Sequence, residues 1–235
     1  MFTLKEEFPE CYRYQGRRIS KKLSNTNINL LNKYYYKHTL DKKIIDYYKV
    51  KDDKKKINFN YSNFSRINLE IGFGDGEFLL KSAYSRPKEL FIGVDVYVNG
   101  IVKVLKKILE HGIENIILSN VNCLFFLDSL APKSIDNLTI INPDPWTKKK
   151  HHKRRLISFQ NIQLFNRVIK SKHSIKITTD SASYVEAIQE MFHEKKEFLD
   201  DFKFEILNKS DDLYGISRYQ RKAIEKGQNI YLLTI

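Results

Sequence analysis

Two cysteines in 235 residues, Cys11 and Cys123, are too few for a disulfide framework, and no C-x-x-C pair is present to build a thiolate zinc site. That poverty leads us to expect a reducing, cytoplasmic compartment and no resident metal. Apolar runs are short as well. None approaches the ~18 residues of a membrane span, and Met1 to Glu10 carries Lys5, Glu6, Glu7 and Glu10 where a signal peptide has its apolar core. No internal repeat is visible. What is present is an ordinary globular composition, 42% apolar, with length for one large domain or a domain plus an extension. The charge is less ordinary. A formal net charge of +13 and a pI near 9.5 point to a polyanionic partner. Because the chain is rich in Lys, Asn, Ile, Tyr and Phe, lysine is raised everywhere, and clustering is better evidence than the total.

The first 60 or so residues are polar, basic and tyrosine-rich. Arg13, Arg17, Arg18, Lys21 and Lys22 lie close together, Tyr34 to Tyr36 follow, and Lys51 to Lys56 is nearly all charged. Residues 1–60 read as a basic, partly flexible extension with little core of its own, either a solvated arm or one that touches RNA backbone. Residues 61–235 read as the main domain. Strands are expected over Ile67–Ile71, Leu90–Asp95, Asn115–Leu118, Ile135–Ile141, Ser174–Thr179, Phe202–Leu207 and Asn229–Thr234. Helices are expected over Glu77–Tyr84, Val98–His111, Asn122–Leu130, Leu156–Ile169 and Ser181–Phe192. In the second of these, Ile101, Val104, Leu105, Ile108 and Leu109 share one face. Strands and helices alternating at short spacing argue for an α/β fold with a doubly wound, mostly parallel sheet.

Glu70-Ile71-Gly72-Phe73-Gly74-Asp75-Gly76 ends the first strand. Gly72, Gly74 and Gly76 let the backbone turn sharply and approach a ligand. The spacing is one residue tighter than the G-x-G-x-x-G dinucleotide fingerprint. Asp95 ends the next strand, 19 residues after Gly76, where a carboxylate can accept both ribose hydroxyls of an adenosine. Glu70 would repel a pyrophosphate but suits a ligand with an amino group, such as S-adenosylmethionine. Asn122 follows the third strand, either as a partner for an adenine edge or as a helix N-cap.

Residues 142–155 carry the most information. Asn142-Pro143-Asp144-Pro145-Trp146 is followed by eight consecutive cationic or titratable residues, Lys148 to Arg155. A carboxylate, a stiff turn, an aromatic plane and a basic run can hold a nucleobase while gripping its phosphates. Trp146 either stacks on a base or ribose or anchors the loop in the core. His151 and His152 suit backbone contacts or solvent better than catalysis. Arg154 and Arg155 are expected to open a helix, where an anion would offset their clash with the macrodipole. Asp180 is expected to cap the helix after the fifth strand while also accepting from a base edge. Arg218 and Lys222, around Ser217-Arg218-Tyr219-Gln220, can hold phosphates.

From Asn68 onward the chain resembles the bacterial tRNA (guanine-N7)-methyltransferase family. The resemblance rests on Leu69 to Gly76, Gly93-Val94-Asp95-Val96, Pro143-Asp144-Pro145-Trp146, His151 to Arg155 and Thr179-Asp180. It implies a Rossmann-like methyltransferase fold and transfer of a methyl group from S-adenosylmethionine to N7 of guanine 46 in the tRNA variable loop. It implies that Glu70, Asp95, Asn122 and Asp144 line the cofactor site, beside Gly72, Gly74 and Gly76 of the loop; Asp144 is expected to be catalytic, stabilising the cation that forms on the purine while accepting from the base. It also implies that Lys148, Asp180, Ser217, Arg218, Tyr219 and Gln220 meet substrate, and that Lys149, Lys150, His151, His152, Lys153, Arg154 and Arg155 lie against RNA. No metal is implied, and the protein is expected as a monomer or homodimer. The family usually has Glu at the position of Asp95, Thr at that of Ser217 and Glu at that of Gln220. Gln220 keeps an acceptor and loses the charge, which bears on recognition of a guanine edge. The rival readings are a methyltransferase of exocyclic base amines, whose N-P-P-aromatic loop residues 142–146 distantly echo, a non-catalytic RNA-binding protein on this scaffold, and a nicotinamide-dependent oxidoreductase.

Overall fold

The computed structural model describes residues 22–50, 55–59, 63–172, 174–196 and 202–235. The strands are β1 (Ile67–Ile71), β2 (Leu90–Val94), β3 (Ile116–Ser119), β4 (Asn137–Ile141), β5 (Ile175–Thr179), β6 (Lys203–Ile206) and β7 (Tyr231–Thr234). They form one sheet in the order β3-β2-β1-β4-β5-β7-β6. The first five are parallel, whereas β7 runs antiparallel to both β5 and β6. β1 and β2 are buried at every position, as strands covered on both faces must be. Successive side chains serve opposite faces. Leu90, Ile92 and Val94 join one apolar cluster, and Phe91 joins the other.

The helices are α1 (Asn25–Tyr34), α2 (Asp41–Lys49), α3 (Glu77–Ser85), α4 (Val98–His111), α5 (Cys123–Ser129), α6 (Phe159–Val168), α7 (Ala182–Glu194) and α8 (Arg218–Glu225). On α4 the expected face is buried at Ile101, Val104, Leu105 and Ile108, but Leu109 is 38% exposed. Leu109 lies at the margin of the stripe, one residue beyond Ile108. The helix expected from Leu156 starts later. Ser158 caps α6, its Oγ accepting from the N–H of Asn161 at 3.4 Å. Residues 149–154 form a separate 3-10 turn, so Arg154 and Arg155 do not open that helix.

Residues 22–50 also differ from a solvated arm. Leu31 and Tyr35 pack in the cluster of α4, and Leu40, Ile44 and Ile45 belong to the main core. Asp41 is fully buried and accepts from Tyr35 Oη (2.9 Å), Ser119 Oγ (2.6 Å) and the Asn120 N–H (3.1 Å). This carboxylate thus fastens the two N-terminal helices to the end of β3. The cluster of Arg13, Arg17, Arg18 and Lys21 lies outside the described residues.

Candidate active site

β1 lies between β2 and β4, and the chain moves outward from it in both directions. At such a switch point the loops beyond the carboxyl ends part and leave a crevice. Here the crevice is a cleft of about 1170 Å³ lined by Gly72 to Asp75, Asp95, Asn122, Asn142 to Asp144, Trp146 and Ser217 to Tyr219. Few ligand sites are larger than ~1,000 Å³, so there is room for a nucleoside and a second planar group.

Glu70, the penultimate residue of β1, lies at the cleft. It is buried, and among the described residues its Oε2 has no hydrogen-bond partner. Burial, reinforced by the nearby charge of Asp95, pushes its carboxyl up to about 8. A carboxyl left in this state is a ready acceptor for a cationic group entering the cleft. Asp95 is already engaged. Its Oδ2 accepts from the Gly74 N–H at 2.7 Å and its Oδ1 from the Tyr97 N–H at 2.8 Å. Burial raises its pKa, those backbone bonds oppose the rise, and the charge of Asp144 adds to it. Asp95 therefore braces the glycine loop, with lone pairs left for a ligand hydroxyl. Gly72 and Gly74 line the cleft. Gly76 lies outside the lining. A Cβ there would sit 2.1 Å from Val104 Cγ2, so this glycine serves close helix packing in place of the expected cofactor contact. Gly100, which the sequence reading did not single out, has the same kind of role: a Cβ there would strike the Gly74 carbonyl.

Asn122 caps α5, its Oδ1 accepting from the Leu124 N–H at 2.9 Å, while its residue also lines the cleft. Its neighbour Cys123 lines the cleft too. Burial pushes the Cys123 thiol up to about 12, which keeps it protonated and unreactive.

The opposite wall is the 142–146 loop. Asn142 and Trp146 have φ of 49° and 42°, the left-handed region that side chains rarely adopt, and they bracket Pro143-Asp144-Pro145. Such strain persists only where surrounding contacts hold it. Arg155 supplies two: its Nε donates to the Pro145 carbonyl at 2.9 Å, and its guanidinium lies 5.0 Å from the ring centre of the buried Tyr184. Arg154 stacks over Trp146 at 5.1 Å, and His151 meets the same indole edge-on at 5.6 Å. Burial, then the charges of Arg154 and Lys148, lowers the pKa of His151. The two arginines thus support the loop from within the basic run, while Lys148, Lys149, Lys150 and Lys153 are exposed.

Residues 65–233 match the model of a family described as a putative methyltransferase. The tRNA (guanine-N(7)-)-methyltransferase of Bartonella henselae is 34% identical over 230 residues, covering 93% of each chain. The chain belongs to the tRNA (guanine-N7)-methyltransferase family. The bifunctional methyltransferase of Rickettsia felis is 34% identical over 219 residues, which cover 91% of this chain and 37% of that relative, so the chain spans little more than a third of its length. A solved antibiotic-related methyltransferase has the same fold, with a TM-score of 0.52 at 16% identity over 77% of this chain and 95% of that one.

Within this member of the tRNA (guanine-N7)-methyltransferase family, the C-terminal segment closes one side of the cleft. Ser217 caps α8, its Oγ accepting from the Gln220 N–H at 3.2 Å, and Ser217, Arg218 and Tyr219 line the cleft, Tyr219 being 71% exposed. Gln220 is turned inward instead. It is fully buried, its Oε1 accepts from the Ile216 N–H at 3.1 Å and its Nε2 donates to Thr178 Oγ1 at 3.0 Å, so it offers no edge to a base. Asp180 does not cap α7. That position falls to Ser181, which makes no side-chain cap, and Asp180 Oδ1 accepts from Asn142 Nδ2 at 2.9 Å. Lys148 lies outside the cleft lining. The sequence reading missed Tyr97, Cys123 and Thr178. All three adjoin residues it did name (Val96, Asn122 and Thr179), but nothing local marks Thr178 as the partner of a side chain 42 residues away.

Proposed function

We propose that the chain transfers a methyl group from S-adenosylmethionine to N7 of guanine 46 in the tRNA variable loop. The observation that carries the cofactor assignment is the buried, unpartnered Glu70 Oε2 facing the cleft, which suits the ammonium of an amino-acid moiety. Asp95 is placed to accept from ribose hydroxyls and Asn122 lies beside the adenine end. When bound, S-adenosylmethionine supplies an electrophilic methyl group on a sulfonium. Guanine N7 carries a free lone pair, so no proton has to be removed and no metal or covalent nucleophile is required. What the protein supplies is alignment. Asp144, exposed at the tip of a loop stiffened by two prolines, meets the positive charge that develops on the purine. Trp146 lines the cleft and offers a stacking plane. The exposed Lys148, Lys149, Lys150 and Lys153 grip tRNA phosphates, and Arg218, which lines the cleft, adds a further cation. The reaction belongs to the cytoplasm, and a monomer or homodimer suffices for it. Among the described residues no helix is long and apolar enough to cross a membrane.

The test is incubation with methyl-labelled S-adenosylmethionine and unmodified tRNA transcripts, followed by nucleoside analysis. Label in 7-methylguanosine that disappears when the variable-loop guanine is replaced is the expected result. Label in another nucleoside would favour amine methylation, and no label despite tight tRNA binding would point to a binding protein.

A further inference from the structure

Four side chains from three parts of the chain form a hydrogen-bonded line behind the cleft. The Ile216 N–H donates to Gln220 Oε1 (3.1 Å), Gln220 Nε2 to Thr178 Oγ1 (3.0 Å), Thr178 Oγ1 to Asn142 Oδ1 (3.3 Å), and Asn142 Nδ2 to Asp180 Oδ1 (2.9 Å). The direction of this line is forced by its ends. A backbone N–H can only donate and an ionised carboxylate can only accept. Asn142 must therefore turn its amide nitrogen to Asp180 and its oxygen to Thr178. The Thr178 hydroxyl must then spend its one proton on Asn142 and accept from the Gln220 amide. Gln220 and Thr178 are fully buried, so water cannot replace a missing link. The line also ties down strained backbone, because Asn142 has φ 49° and its own N–H bonds the Thr178 carbonyl at 2.9 Å.

We propose that Thr178 and Gln220 are positioning residues: their one-way relay couples the Ser217–Gln220 segment to Asn142 and Asp180 and so sets the loop that presents Asp144 to the base. The relay requires an amide at position 220. An ionised carboxylate there could not donate to Thr178; the hydroxyl would turn to it and leave Asn142 Oδ1 without a donor. The Gln220 of this chain is, on this view, matched to Thr178 and Asn142. The proposal rests on the guanine-methylation reading for its substrate but concerns an arrangement that the reading does not contain.

The experiment compares wild type with Thr178→Val, Thr178→Ser and Gln220→Glu in the full chain. It measures steady-state methylation of tRNA, S-adenosylhomocysteine affinity and thermal melting. Thr178→Val, which keeps the shape and loses the hydroxyl, should lower kcat for tRNA roughly tenfold to a hundredfold, the scale of leaving buried amide partners unsatisfied. Affinity for S-adenosylhomocysteine should be unchanged, and Thr178→Ser should restore the rate. Gln220→Glu should stay close to wild type while burial keeps its carboxyl protonated and able to donate, and should lose activity relative to wild type as pH rises and that carboxyl ionises. Should Thr178→Val fold poorly, the pH profile of Gln220→Glu and the rate of Thr178→Ser decide the matter. Wild-type kcat in Thr178→Val, or activity of Gln220→Glu that does not fall relative to wild type as pH rises, would overturn the relay while leaving the methylation reading intact. Wild type labelling a different nucleoside would overturn that reading, and the order of the variants on that product would still test the relay.

Discussion

Glu70 concentrates the electrostatics of the site in one side chain. Its carboxyl is raised from an ordinary 4.5 to about 8 by burial first and by Asp95 second. A cationic amino group beside it favours the ionised form, so ligand binding should expel a proton. Affinity for S-adenosylhomocysteine should accordingly climb between about pH 6 and pH 8, and turn down only at higher pH, where the ligand's own α-amino group loses its charge. Calorimetry in two buffers of different ionisation enthalpy would count the proton, and a flat affinity across that range would sink the pairing. The sign for the ligand-free protein is opposite. The unfolded chain releases this proton near 4.5 while the folded protein holds it to about 8, so the stability cost grows with pH across that window. Glu70→Gln should therefore melt higher than wild type at pH 8 without ligand, and bind S-adenosylhomocysteine more weakly.

The element that matters most is the loop joining β4 to the 3-10 turn at residues 149–154. Two non-glycine residues at positive φ store of order 1–3 kcal/mol each, and Arg155 clamps the Pro145 carbonyl between them. Arg155→Lys keeps the charge but loses the Nε donor to Pro145 and the flat stacking on Tyr184. It should cut kcat roughly tenfold, the scale of about one hydrogen bond to a charged group, with the salt dependence of tRNA binding unaltered. Replacing Lys149, Lys150 and Lys153 together should do the reverse, flattening the salt slope. Filter binding at several salt concentrations separates the two. A shallower slope for Arg155→Lys would show that Arg155 meets phosphate. The eight residues from Lys148 to Arg155 look uniform in sequence; in space Lys148, Lys149 and Lys150 face solvent, Lys153 reaches the cleft, Arg154 lies over Trp146 and Arg155 turns in to Pro145 and Tyr184.

Across the whole molecule, the N-terminal helices and the cofactor cleft are joined through one buried carboxylate. Asp41 receives Tyr35, Ser119 and the Asn120 N–H, and Asn120 Nδ2 in turn donates to the Asp95 carbonyl at 2.8 Å. Burial raises the pKa of Asp41 and these donors oppose the rise. Asp41→Ala leaves three buried donors without their acceptor, and at ~1–3 kcal/mol each the loss should be at least about 3 kcal/mol. Urea unfolding would measure it, and S-adenosylhomocysteine affinity should weaken as the Asp95 turn loosens. An unchanged midpoint would mean that residues 22–50 are not held to β3 by this contact.

The parallel sheet, the glycine loop at the end of β1, Asp95 at the end of β2 and the turn around Asp144 were all readable from residues 67–146. Each depends on neighbours within one strand-loop unit, where periodicity, glycine spacing and proline stiffness act locally. The antiparallel insertion of β7, the docking of residues 22–50 and the inward turn of Gln220 were not. Thr178 and Gln220 are 42 residues apart, and Asn142 and Asp180 are 38. Whether a glutamine meets a base or a buried threonine is decided by which surfaces the chain closes together. Residue type sets what a side chain can donate or accept; only the tertiary structure selects the partner, because that choice depends on burial and distance between segments far apart in sequence.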